Sequence, residues 1–355
     1  LELDGLKQEI KRLISGTGAN LVGVGSRDRL KDAPPSGDMD YCLEGAQSCI
    51  IWAYAPPIDA LRNYFSKTER MSIKKFQHFA YSTAWKTAET VAAFIEKNSE
   101  YKAFPMIPNG KYRTKKPGKT AGYGSVLNKD GTYPDFSLRY GAVAAGLGHL
   151  GWSGNVVTST YGGSLYLGGV LTTAPLEPDP MAEENHCNRC LICANACTTG
   201  YVSKEEAGPP VIIGGMEEVC GKRNNILRCV VGCAGWTGLS PDGTWTNWSP
   251  GQVCLQEVPE VKISTTKYKI SLFASLFVSP RTPRQYRRFN NTIRKSFMGT
   301  PNVGMRSVED TNPRCGFCSL ICVADPRERK ELLHLLKESG KVYLDEKGQE
   351  IVKKT

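Results

Sequence analysis

The chain has 355 residues, 40% hydrophobic and 23% charged, which describes a globular protein with a sizeable core and excludes a disordered one. No apolar run approaches the roughly 20 residues that cross a bilayer, and Leu1-Glu2-Leu3-Asp4 lacks the basic-then-apolar pattern of a leader. The net charge of +10 is local: ten Lys and Arg, from Lys262 to Arg306, fall between Val261 and Val308, where no acidic residue occurs.

Leu6, Ile10, Leu13 and Ile14 recur at helical spacing and predict an amphipathic helix over 3–15, closed by Gly16-Thr17-Gly18. Residues 19–25 and 48–55 read as strands, the second stopped by Pro56-Pro57. One or two helices are predicted over 66–97 and a strand over 101–107. Lys111, Arg113, Lys115, Lys116 and Lys119 lie among Gly and Pro and make 109–119 a basic loop, with a turn at 128–131. A helix over 137–147 ends at Gly148, and strands follow at 155–158 and 164–173. Residues 175–180 read as a Pro-rich, acidic linker.

Strands alternating with helices predict an α/β domain over 1–180. A second unit, 181–326, carries cysteine runs at its two ends and a long insertion at about 222–312 that holds the basic segment. In the remaining 327–355, Leu332, Leu333, Leu335 and Leu336 mark an amphipathic helix.

Thirteen cysteines would suggest disulfides in a short secreted chain. Here they cluster at tight spacings in a long chain, which favours metal-cluster ligation in a reducing, cytoplasmic or anaerobic setting. Cys187, Cys190, Cys193 and Cys197 have the C-x2-C-x2-C-x3-C spacing of bacterial ferredoxins, with Thr198 where a Pro is usual. Three thiolates two residues apart wrap one cluster, and the fourth points to another. Zinc is the competing reading of such pairs. Cys315, Cys318 and Cys322 form the second run. The expected 4Fe–4S ligands are Cys187, Cys190, Cys193 and Cys322 for one cluster. Cys197, Cys220, Cys315 and Cys318 are expected for the other, with Cys229 or Cys233 as replacements for Cys220. Cys42, Cys49 and Cys254 read as small buried apolar residues.

The segment Ala144-Ala145-Gly146-Leu147-Gly148-His149-Leu150-Gly151-Trp152-Ser153-Gly154-Asn155, followed by Thr172-Thr173-Ala174-Pro175-Leu176 and the ferredoxin spacing, has a further meaning. It resembles the cobalamin-dependent reductases that include epoxyqueuosine reductases and reductive dehalogenases, and the resemblance covers most of the chain. It implies a nitroreductase-like domain holding base-off cobalamin, followed by a ferredoxin-like domain with two clusters. The clusters would reduce cobalt to Co(I), a substrate C–halogen or C–O bond would be cleaved, and a protein acid would supply a proton. A low-potential donor such as ferredoxin or flavodoxin is implied.

Cobalamin would be approached by Gly146, Leu147, Gly148, Gly151, Trp152, Gly154 and Asn155, for which tight packing is the alternative. His149 is the one competitor as a cobalt ligand, and a cofactor without a protein His is expected. The acid candidates are Asp135, Tyr140, Tyr133 and Tyr161, against core packing for the tyrosines and helix capping for Asp135. Tyr133-Pro134-Asp135 resembles the Tyr-x-Asp of epoxyqueuosine reductases but lies about three residues closer to the Gly-rich segment. Ser164 and Tyr166 stand where dehalogenases have arginines. Ser137-Leu138-Arg139-Tyr140 and the 174–180 stretch favour a dehalogenase-like enzyme acting on a small organic substrate. The alternatives are a tRNA epoxyqueuosine reductase and a cobalamin-free electron carrier. In the basic segment, Tyr268, Phe273, Phe277, Tyr286, Phe289 and Phe297 interleave with cations. That pattern suits a tRNA surface, a peripheral membrane contact or a subdomain capping the active site.

Overall fold

The computed structural model describes residues 1–106, 112–113, 120–121, 134–233, 235, 237–265, 267–268, 315–347 and 349–354. Tyr133, the turn at 128–131, most of the 109–119 loop and most of the basic segment lie outside the described residues.

Helix α1, Leu3–Ser15, buries Leu6, Ile10 and Ile14. Strand β1, Leu21–Ser26, pairs antiparallel with β2, Ser48–Tyr54. Two helices follow: α2, Ile58–Phe65, and α3, Met71–Asn98. Helix α2 starts directly after Pro57, earlier than the periodicity suggested, because Pro fixes a φ suited to a helix entry. Between α2 and α3 the chain turns at Lys67, whose φ of 55° is left-handed. Strand β3, Ala103–Met106, helix α4, Leu138–Ala144, and strand β4, Tyr166–Thr172, complete this half. The sheet runs β1-β2-β4-β3 with every pair antiparallel, so the fold is a mixed α and β arrangement around an antiparallel sheet.

Strand β2 is buried at all seven positions, with α3 packed against β3 and β4 and α4 against β1 and β2. Each large apolar side chain of β2, such as Ile50, Ile51 or Trp52, contributes about 1.5–3 kcal/mol by leaving water. Helix α4 can lie close to β1 because β1 has Gly at two positions. A Cβ on Gly23 would stand 2.3 Å from the Ala145 carbonyl oxygen.

The 175–180 stretch is tied down rather than free. The Asp179 carboxylate meets Lys7 at 2.9 Å and Lys11 at 2.6 Å, and accepts the Val24 amide at 2.9 Å.

The second half is built from short pieces. Helix α5, Ile192–Asn195, lies inside the first cysteine run. Strands Val202–Ala207 and Gly221–Arg223 pair, as do Val211–Ile213 and Met216–Glu218. Helices α6, Ile226–Cys233, and α7, Glu260–Ser264, belong to the predicted insertion. They are fastened to the cysteine-bearing part by buried Arg228, which donates to Glu260 at 2.9 Å and to the Thr199 carbonyl at 3.1 Å. Helix α8, Phe317–Leu320, carries the second run, and α9, Pro326–Glu338, leads into a hairpin, Lys341–Leu344 with Glu350–Lys353. No helix of the described residues is long and apolar enough to cross a membrane.

Candidate metal-cluster site

Cysteine spacing alone places thiols on a loop; the backbone decides where they point. Arg189 and Leu191, between the cysteines of the first run, have φ of 52° and 58°. Two non-Gly residues in the left-handed region cost on the order of 1–2 kcal/mol each. That cost curls the loop so that Cys187, Cys190 and Cys193 face one space. Cys322 of the second run enters the same space. The four line a cleft together with Gly151, Trp152, Ile321 and Arg329. Burial pushes the Cys193 thiol up to about 12, and the neighbouring Cys322, Cys187 and Cys190 sulfurs push the same way. The Trp152 amide donates to the Cys187 sulfur at 3.2 Å, the kind of bond a cluster thiolate accepts.

A second set gathers behind it. Burial raises the Cys318 thiol, and the Cys229, Cys197 and Cys315 sulfurs add to the effect. Helix α6 presents Cys229 and Cys233 one turn apart, with sulfurs 3.7 Å from each other. A hydrogen bond from Cys233 is the main cause that holds the Cys315 thiol below its ordinary range. The Tyr201 amide donates to the Cys197 sulfur at 3.3 Å. A wall of Tyr64, Phe65 and Phe317 closes one side, with ring centroids 5.0–5.7 Å apart.

Cys220 is not in this set. Burial raises it, and its charged and thiol neighbours are Arg223, Arg139, Glu218 and Cys187. The reason is topological: Cys220 precedes strand Gly221–Arg223, which pairs away on Val202–Ala207, whereas α6 brings Cys229 back. Cys49 is fully buried beneath α4, as expected of a small apolar residue, while Cys42 and Cys254 are half-buried.

Among the described residues, no group of three or more Cys, His, Asp or Glu is drawn tightly enough for a single metal ion. The donor set fits a cluster on two counts. The Asn247 side-chain nitrogen is fully buried with nothing but the Cys315 sulfur to accept from it. Thr198 likewise buries an unpartnered hydroxyl next to Cys197.

The residues predicted to approach cobalamin are occupied differently. A Cβ on Gly146 would stand 2.0 Å from the Pro180 carbonyl oxygen, and one on Gly154 would stand 2.0 Å from the Arg223 guanidinium. Gly148 is closed off by the Val157 carbonyl, and Leu147 packs on Gly23. Gly151 and Trp152 face the thiol cleft, where Trp152 donates to the Ser203 carbonyl at 2.7 Å. The Asn155 side chain bonds Ser153 at 3.1 Å. At Gly146, Gly148 and Gly154 the close neighbour is protein, which is the tight packing that stands as the alternative to a cofactor contact.

His149 is buried. Its Nδ1 lies 2.7 Å from a Glu218 carboxylate oxygen, and its Nε2 donates to the Ala182 carbonyl at 3.0 Å, so both ring nitrogens are engaged.

Among the described residues the acid candidates do not converge. Buried Asp135 accepts the Phe136 amide at 2.9 Å, while Ser137 caps α4 by accepting the Tyr140 amide. Tyr140 is half-buried on α4. The Tyr161 hydroxyl points to Asn20, at 3.5 Å, in the turn before β1. Sequence reasoning passed over Arg329 and Asn247. Arg329 was findable, because it lies three and seven residues before Leu332 and Leu336, on the buried face of α9.

No protein-family model matches the chain. Among curated proteins, an epoxyqueuosine reductase of Synechocystis is 40% identical over 58 residues, 16% of this chain. One of Gloeobacter violaceus is 44% identical over 59 residues, and one of Listeria monocytogenes 38% over 71. Over these segments the chain is similar to epoxyqueuosine reductases. The superfamily read from the sequence, which joins them to the reductive dehalogenases, is thereby borne out.

The matched segments span only 18–20% of those relatives. A solved epoxyqueuosine reductase with a tRNA stem loop aligns over 95% of this chain and all of its own, at 15% identity and a TM-score of 0.42. A catabolic reductive dehalogenase aligns over 83% of this chain and 36% of its own, at 13% identity and 0.44. No residue role follows from likenesses at that level.

Proposed function

We propose that this chain is a two-cluster iron–sulfur reductase that cleaves a substrate bond reductively. The observation that supports it is the sorting of thiols from both cysteine runs into two sets, one around Cys187, Cys190, Cys193 and Cys322 and one around Cys197, Cys315 and Cys318 with Cys229 and Cys233 of α6 beside them. The chain's part is to hold two anionic clusters close together, to donate amide hydrogens to their sulfurs and to keep water out with the Tyr64, Phe65 and Phe317 wall.

Cobalamin rests on the superfamily resemblance alone. The curated relatives are named epoxyqueuosine reductases, which favours C–O cleavage in a modified tRNA base over the dehalogenase-like reading. The electron donor is a low-potential carrier.

Anaerobically purified protein should hold about eight iron and eight sulfide per chain, the content of two 4Fe–4S clusters. Stoichiometric zinc would sink the reading. A tRNA anticodon stem loop should bind with a steep salt dependence. Binding indistinguishable from that of an unrelated RNA hairpin would return the substrate to small organic molecules. Visible bands beyond the cluster shoulder after incubation with cobalamin would establish the third cofactor.

A further inference from the structure

Arg329 is an internal cation without an internal anion. It is 3% exposed, on the first turn of α9. Its guanidinium donates to the carbonyls of Val323 and Ala324 and, at 3.4 Å, to the Asn188 side-chain oxygen. All three acceptors are neutral, and among the described residues no carboxylate pairs with it. A buried charge left in this state is costly unless an opposite charge lies nearby.

The side chain lines the thiol cleft. Burial raises the Cys322 thiol, and the Arg329 charge is the largest influence in the opposite direction. Its bonds also join the two runs, since Asn188 belongs to the first and Val323 follows the last cysteine of the second.

We propose that Arg329 is the built-in counter-charge of the cluster held by Cys187, Cys190, Cys193 and Cys322, and that it raises that cluster's reduction potential. The inference rests on the two-cluster reading above. A four-thiolate cluster is anionic in both redox states and more so when reduced. A fixed cation in a low-dielectric site therefore stabilises the reduced form more than the oxidised form. Losing it makes the cluster harder to reduce. The neutral carbonyls keep the guanidinium in place without cancelling its charge, which a carboxylate would do.

The test is a redox titration of the full chain, followed by electron paramagnetic resonance, with iron counted on every sample. In Arg329→Gln the first cluster should shift negative by at least a tenfold change in its reduction equilibrium, about 59 mV for one electron. Arg327→Gln is the control, because Arg327 is 93% exposed two residues away, and it should leave the potential in place. A loaded Arg329→Gln protein at the wild-type potential overturns the proposal.

If Arg329→Gln fails to load, Arg329→Lys decides, since it keeps the charge and loses the fork of hydrogen bonds. Loading at the wild-type potential supports the proposal. A negative shift, or failure to load here too, makes Arg329 a clamp of the two runs and overturns it. Wild-type protein without iron would be a failure of the two-cluster reading instead.

Discussion

Cys229 and Cys220 are nine positions apart in sequence and face different surroundings. The Cys229 sulfur lies with Cys233 and acts on Cys318, whereas Cys220 faces Arg223, Arg139 and Glu218. In Cys229→Ala, iron should therefore fall by about half, with the lost signal belonging to the cluster of Cys315 and Cys318. Cys220→Ala should retain about eight iron. Loss of the second cluster in Cys220→Ala, with Cys229→Ala intact, would restore the ligand set read from spacing. The spacing makes the two cysteine runs legible, because a C-x2-C loop brings its own thiols together whatever surrounds it. Which further thiol lies beside Cys197, Cys315 and Cys318 depends on how the chain returns after Gly221–Arg223, and no local pattern encodes that return. Asn247 was illegible for the same reason, since its meaning comes only from facing Cys315 across the sequence.

At the scale of elements, the turn Thr158–Gly162 shows how one backbone position seats a ligand. Gly162 has a φ of 61°, and a Cβ there would lie 2.1 Å from the Cys322 carbonyl oxygen. The Thr158 and Gly162 amides exchange hydrogen bonds at 2.9 and 3.1 Å, so the turn cannot swing aside without losing them. Gly162→Ala should therefore displace Cys322. Stability should fall by about 1–3 kcal/mol, with loss of iron from the first cluster and the second spared. Equal loss from both clusters would show general unfolding rather than a seat for Cys322. Helices α1, α3 and α4 and the four strands were largely visible as apolar periodicity. Helix α2 was not, because eight residues after a Pro pair carry too little pattern to separate from a loop. The antiparallel order of the sheet was not visible either, since it depends on long-range pairing rather than local preference.

On the scale of the whole molecule, cations in the α2–α3 region hold the C-terminal helix and hairpin to the N-terminal half: Arg62, which meets Glu328 of α9 at 2.7 Å, Arg70 and Lys67. Arg70 pairs with Glu350 of the final hairpin at 2.7 Å, with both side chains largely buried, and lies over the Trp248 ring. Arg70→Ala should cost on the order of 3 kcal/mol, because it strands the carboxylate. Hydrogen exchange should speed up most in 341–353, and uniform acceleration along the chain would contradict a local anchor.

Lys67 is a further anchor, and it should make stability depend on pH. Its ammonium donates to Ser339 and to the Gly340 carbonyl at 3.1 Å, and it approaches the Leu336 carbonyl at 3.5 Å, where α9 ends. These acceptors suit a cation at a helix C-terminus, but none carries a charge. Burial therefore dominates and lowers Lys67 to about 7. An unfolded Lys titrates near about 10.4. Between these values the unfolded chain binds a proton that the native chain does not, so stability rises with pH across that window. Below about pH 7 both states are protonated, and this contribution is flat at its least favourable. Lys67→Met removes the titration while keeping most of the buried stem. The melting temperature of the wild type relative to Lys67→Met should climb from pH 7 to 10 and stay constant from pH 6 to 7. A difference that falls with rising pH would mean that the helix-end carbonyls hold the charged form more strongly than burial opposes it.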